Sequence, residues 1–178
     1  MKILAALSSS LLLVTTCFAD WPFWRGDLAG SGITSEAKLP TEWDKEKNVK
    51  WRIALPEPGN SSPVISGDRI FLTQPNTEKK QRGLLCLDRK TGKKLWEKSV
   101  EYEAKERTHR TNHFCSSSPA TDGERVIVAY GSAGIYCYSL DGRELWRRDL
   151  GSIDHVWGYG SSPLIHEDLC IHYHGCLL

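Results

Sequence analysis

Residues able to do chemistry collect in a few places. From 103 to 114 the chain reads Glu-Ala-Lys-Glu-Arg-Thr-His-Arg-Thr-Asn-His-Phe. Arg107, His109, Arg110, Asn112 and His113 offer cationic and amide groups suited to an anion or a polar partner. The same residues also describe a solvated loop ending on a strand-anchoring Phe114-Cys115. A second stretch, His155-Val156-Trp157-Gly158-Tyr159, carries aromatic rings that stack on a sugar or peptide if exposed and fill packing space if buried. Near the C-terminus Cys170, His172, His174 and Cys176 alternate, so an extended strand puts all four on one face. Cys and His are zinc ligands, but successive same-face side chains diverge along a strand too far to surround one ion, and no metal site is assigned. No Ser-His-Asp order, nucleophile elbow, phosphate-binding loop or paired-carboxylate motif is visible, so no catalytic residue is assigned either.

These residues have to be held by something, and an internal repeat supplies it. Ser61-Ser62-Pro63, Ser117-Ser118-Pro119 and Ser161-Ser162-Pro163 recur at intervals of 56 and 44 residues. After each triplet come a short apolar strand, a turn and a β-rich run. In the first two copies a third strand starts at Gly83 or Gly134, and a tight turn leads into a strand bearing Trp96 or Trp146. The second of these turns contains Asp141-Gly142, a strong two-residue hairpin signal. Each unit therefore reads as four short antiparallel strands. The fold expected is all-β, a β-propeller of four-stranded antiparallel blades, because a lone four-stranded sheet cannot cover both its apolar faces and stacked blades can. Trp51, Trp96 and Trp146 are expected to pack between blades, with Gly92 and Gly142 in the neighbouring turns.

The phase of the repeat bounds the organisation. Residues 48–55, centred on Trp51, match the fourth strand of a blade with no first three strands before them. Blades follow at 61–100 and 117–150, and half a blade at 161–171. The partial propeller thus spans 48–178, behind a lead segment at 20–47. About two and a half blades plus an orphan N-terminal strand make an incomplete ring, since propellers need about four to eight blades. The expectation is that the chain is an N-terminal fragment whose first partners are the missing C-terminal blades of the same protein. Glu167 stands where the earlier turns have Gly67 and Gly123, and residues 172–178 fit no repeat position.

Residues 1–19 combine Lys2, a short apolar run and a small-residue exit at Ala19, the pattern of a secretory signal peptide. A membrane anchor and a lipoprotein modified at Cys17 are the alternatives. The run is too short to span comfortably, and no other run approaches the ~20 apolar residues of a membrane helix. The chain has 178 residues with 23 basic and 22 acidic side chains. Loss of Lys2 with the signal leaves the two signs balanced, so nucleic acid is not an expected partner. Five cysteines would remain after cleavage; no disulfide is assumed.

The Asp-x-x-Thr-Gly-x-x-Leu-Trp run at 88–96 resembles the PQQ-like repeat of quinoprotein dehydrogenases and of the outer-membrane assembly lipoprotein B. Trp21-Pro22-Phe23-Trp24-Arg25-Gly26-Asp27 with Gly30-Ser31-Gly32-Ile33, and Leu39-Pro40-x-x-Trp43 running to Trp51 and Ser61-Ser62-Pro63, resemble the start of secreted bacterial PQQ-binding-like β-propeller repeat proteins. The resemblance covers residues 21–171 and departs at Ser139, which replaces the Asp of the turn. In the dehydrogenases it implies a quinone on the propeller axis against a Trp and a vicinal disulfide, with calcium held by Glu, Asn and a catalytic Asp. This sequence has no adjacent Cys pair and no acidic residue that matches that site. The function expected is an exported, non-catalytic binding platform in the periplasm or cell envelope, without cofactor, for an unknown protein or polar ligand. A fragment of a quinoprotein oxidoreductase using PQQ and calcium is the alternative.

Overall fold

The computed structural model describes residues 21–103 and 105–175; the expected signal peptide and Cys176 lie outside the described residues. Among the described residues ten strands fall into three sheets. The first comprises β1 (Val64–Ser66), β2 (Arg69–Asn76), β3 (Gln81–Asp88) and β4 (Lys94–Glu101). The second comprises β5 (Ala120–Thr121), β6 (Arg125–Ala129), β7 (Ile135–Ser139) and β8 (Glu144–Arg148), with one 3-10 turn at Gly131–Ala133 before β7. The third pairs β9 (Leu164–His166) with β10 (Leu169–Ile171). Within each sheet the strands follow chain order and are antiparallel.

The first two sheets repeat in register. Phe71 faces Cys86, which faces Trp96; Ile127 faces Cys137, which faces Trp146. A register shift follows the cysteine in both, between Cys86 and Leu87 and between Cys137 and Tyr138. Such a bulge twists the outer strand away from the sheet and re-aims its side chains. The middle strands β2, β3 and β6 are buried almost continuously, without the in–out alternation of a half-solvated sheet. They are covered on both faces, as inner layers of stacked sheets are.

The core lies between the sheets. Val64, Phe71, Leu84 and Cys86 of the first pack with Val126, Val128, Tyr130 and Tyr138 of the second. Ile127, Ala129, Ile135 and Cys137 of the second pack with Ile165 of the third and Phe23 of the lead segment. The first strands β1, β5 and β9 converge and form an inner rim. Two serine bonds tie that rim together: Ser62 donates its amide to Ser118 Oγ at 2.8 Å, and Ser118 donates its own to Ser162 Oγ at 3.0 Å.

The lead segment crosses this rim. Trp21 and Ile65 exchange both backbone hydrogen bonds, at 3.0 and 2.8 Å, and Pro22 accepts from the amide of Thr121 at 3.0 Å. Gly26 turns the segment back with φ +91°, and a side chain there would strike the Trp21 ring at 2.9 Å.

Residues 48–55, expected as an orphan strand, have no ladder partner among the described residues; a ladder needs a neighbour's hydrogen bonds. They cover the outward face of the first sheet, where Ile53 packs against Leu72, Leu85 and Leu87.

Candidate functional site

The tryptophans of the repeat make recurrent contacts. Trp51 donates its indole N–H to the carbonyl of Arg89 at 2.9 Å. Trp96 donates to the carbonyl of Leu140 at 3.0 Å. Each acceptor sits in the turn between the third and fourth strands of the next sheet. The glycine of that turn lies under the ring: a Cβ on Gly92 would meet Trp51 at 2.5 Å, and one on Gly142 would meet Trp96 at 3.0 Å. Asp88 braces the first turn by accepting from the amide and hydroxyl of Thr91 at 2.7 and 2.6 Å, bonds that hold its carboxyl below the usual range. In the second turn Ser139 Oγ accepts from the Arg143 amide at 3.1 Å, performing a similar task without charge. Trp146 is half-buried against the Ile127 and Cys137 cluster.

The two connections that lead from a fourth strand to the next first strand meet each other. Antiparallel order places both at the same end of the sheets, opposite the turns at 67 and 123. The Arg107 guanidinium pairs with Asp154. That hydrogen bond holds the Asp154 carboxyl below its ordinary value and Arg107 above its own. Asn112 donates its side-chain amide to the Trp157 carbonyl at 2.7 Å. The edge of one ring meets the other between His109 and Trp157, 4.9 Å apart. Gly158 lies close to Asn112, with φ +76°, and a Cβ there would stand 3.1 Å from the Asn112 carbonyl oxygen.

Both connections are also fastened to the sheets. Glu106 is buried and pairs with buried Arg82 at 2.9 Å. Arg82 also donates to the Tyr130 carbonyl at 2.6 Å and lies 4.2 Å over the Phe114 ring and 5.0 Å over that of Tyr102. A pair so deep has to be fully satisfied, because either partner alone would be a buried charge. Ser116 donates to the His113 carbonyl at 2.6 Å and Asn60 to that of Thr111 at 2.8 Å. On the other connection the Ile153 amide donates to Ser132 Oγ at 2.7 Å.

The residues singled out in the sequence are thus divided. Arg107, His109, Asn112 and Trp157 come together. Arg110, next in the chain to His109, is exposed. His155 is half-buried, its Nδ1 accepting from the Trp157 amide at 3.3 Å. His113 is half-buried and lines a small cavity with Arg82 and Glu106. Trp157 and Tyr159 do not form a pair. Trp157 is 60% exposed, whereas Tyr159 turns inward, packs against the second core cluster and hydrogen-bonds His172. Burial pushes the Tyr159 hydroxyl pKa up, and burial together with His174 pushes His172 down to about 4.

Sequence reasoning misses Arg82, Glu106 and Asp154. Arg82 carries one signal, a cation leading into the apolar run 84–87. Among the described residues no three His, Cys, Asp or Glu side chains gather to hold a metal ion, and no helix is long and apolar enough to cross a membrane.

No curated protein matches the sequence. Solved structures do. A europium-containing methanol dehydrogenase superposes with a TM-score of 0.59 at 14% identity, covering 85% of this chain and 27% of its own. BamB from Moraxella catarrhalis superposes with a TM-score of 0.52 at 15% identity, covering 69% and 36%. The chain therefore spans about a third or less of these structures, and likenesses at such identity establish the fold, an incomplete β-propeller. The family model described as outer membrane protein assembly factor BamB matches residues 32–171. Blade-like sheets, the repeated Trp-over-Gly turns and that match together place the chain in the BamB-type family of PQQ-like β-propeller repeat proteins.

Proposed function

We propose that the chain is part of an exported, non-catalytic β-propeller that binds a protein or polar ligand in the cell envelope. The observation that carries this reading is the junction of the two connections. Arg107–Asp154, Asn112–Trp157 and the buried Arg82–Glu106 pair hold them as one ordered surface. That surface presents Trp157 and Val156, 60% and 53% exposed, and the exposed Arg110, next in the chain to the His109 that meets Trp157. An exposed aromatic flanked by arginine and held rigid is the composition of an interaction hot spot, because little entropy is lost on docking. The family's description as an assembly factor supports a protein partner and an envelope setting; the signal pattern at 1–19 supports export.

Further blades of the same ring are part of this reading. The exposed Leu169 and Ile171 on the two-stranded sheet and the short span relative to the solved structures support them.

The described residues do not fit a quinone–calcium centre. Their cysteines are separate free thiols. The inner rim offers one carboxylate, Asp27, already engaged by the Ser31 amide and hydroxyl. No step is routed through such a group.

The test is photo-crosslinking in cells, with the full-length protein carrying a photoreactive amino acid at 110 or 156, or at 124 on the opposite end. A discrete adduct from 110 and 156 but not from 124 supports the platform. Equal adducts from both ends, or none from 110 and 156, refute it.

A further inference from the structure

A second concave site lies on the inner rim, apart from the loop junction. Its volume is about 500 Å³, within the usual range for a small-molecule site. The lead segment supplies Trp24, Asp27 and Leu28; the chain leading into the first strands supplies Asn60, Ser118 and Ser162.

The wall's chemistry is specific. Ser118 and Ser162 each accept a neighbouring sheet's amide on Oγ, which leaves the hydroxyl hydrogen to donate. Asn60 donates one N–H of its side-chain amide to the Thr111 carbonyl, which leaves its second N–H to donate and its side-chain oxygen to accept. Asp27 is held ionised by the Ser31 hydroxyl and amide. Trp24 is 55% exposed, with the Arg25 guanidinium 5.7 Å from its ring centroid. The lining contains no Lys, Arg or His.

An anion would meet the Asp27 carboxylate in the lining, while the one neighbouring cation, Arg25, stands on the Trp24 ring outside it. A wholly apolar ligand would strand the serine hydroxyls and the Asn60 oxygen, each of which costs free energy when dehydrated unpaired. A cation would have to compete for Asp27, both of whose oxygens already accept from Ser31, and for Trp24, already met by Arg25. A neutral ligand with many hydroxyls and one C–H face for an aromatic ring suits every group of the wall. We propose that this pocket binds a neutral saccharide, with Trp24 under the sugar ring and Asn60, Ser118 and Ser162 as polar partners.

The lead segment then has a role beyond covering the rim. Its hydrogen bonds to Ile65 and Thr121 fix Trp24 and Asp27 against two sheets, so one wall of the site is built from sequence that precedes the first strand by about forty residues. Preorganisation of that kind is what a weakly held sugar requires.

The experiment is calorimetric titration of the full-length protein with maltose, cellobiose and the N-acetylglucosamine disaccharide, with inorganic phosphate as an anionic probe. At least one saccharide is expected to bind and phosphate not to. Trp24→Ala weakens saccharide binding about tenfold or more, the loss of one stacked aromatic, whereas Trp24→Phe retains most of it. If Trp24→Ala does not fold, Leu28→Arg, at a position nearly half exposed, fills the pocket and is expected to abolish binding. No heat with any of the three sugars, binding of phosphate alone, or saccharide binding indifferent to Trp24→Ala and Leu28→Arg overturns the proposal.

Discussion

Truncating Trp96 to alanine removes three things together. It removes the indole's contact with the Phe71 ring, 5.8 Å between centroids, its bond to the Leu140 carbonyl, and its seat over Gly142. Buried Trp→Ala changes cost about 3–5 kcal/mol. Trp96 is half-buried and the freed carbonyl can meet water, so the low end applies, about 3 kcal/mol. For a chain of this size that lowers Tm by about 6–12 °C. The interlock itself is isolated by adding Gly142→Ala. Alone, that substitution places an alanine at φ +83°, costing about 1 kcal/mol, and a methyl 3.0 Å from the Trp96 ring, costing about 1 kcal/mol more. In the Trp96→Ala background the second cost disappears, so the double mutant is more stable than the sum of the singles by about 1 kcal/mol. Urea unfolding followed by circular dichroism reads all four corners. Strict additivity would refute the claim that ring and turn are one contact.

Glu167 occupies φ +53°, where the equivalent turns use Gly67 at +54° and Gly123 at +95°. Glu167→Gly is expected to stabilise the fold by about 0.5–1 kcal/mol once the looser unfolded chain is counted, read as a higher urea midpoint; a lower midpoint would contradict it. Burial raises the thiols of Cys86 and Cys115 to about 12 and Cys137 to about 11. The native protein at pH 8 should therefore leave these three unlabelled by a thiol reagent and label them after denaturation; rapid native labelling, read by peptide mass, would count against the packing. His172 is neutral when folded, at about 4 against an ordinary 6.5. Its contribution to stability is complete above pH 6.5 and is lost as pH falls toward 4, because the unfolded chain takes up a proton the folded one refuses. His172→Gln should flatten that limb of the stability curve, and an unchanged limb would deny the burial.

What the sequence disclosed follows from how local each signal is. The Asp141-Gly142 hairpin, the Ser-Ser-Pro triplets and the apolar runs beside them act over a few residues, and the strands lie there. The segment around Trp51 has a strand's composition, but a ladder also needs a neighbour, and no composition supplies one. The Arg107–Asp154 and Asn112–Trp157 contacts join residues 47 and 45 apart, across a whole sheet, and no local pattern links them. Glu106 is one acid among the charges of 103–107, so nothing marks it as the buried member. Phe23 and Trp24 stand side by side, yet one enters the core and the other faces the rim pocket; only the backbone pairing of Trp21 with Ile65 decides which.

The most direct test of the central claim is hydrogen–deuterium exchange of the full-length protein across 105–114 and 153–160. If the two connections are one ordered surface, the amides of Asn112 and Gly158, bonded to the carbonyls of His109 and His155, exchange slowly and together, and Glu106→Ala speeds both stretches. Exchange at unfolded-chain rates in both, or a Glu106→Ala effect confined to 105–114, would show two independent solvated loops and contradict the account.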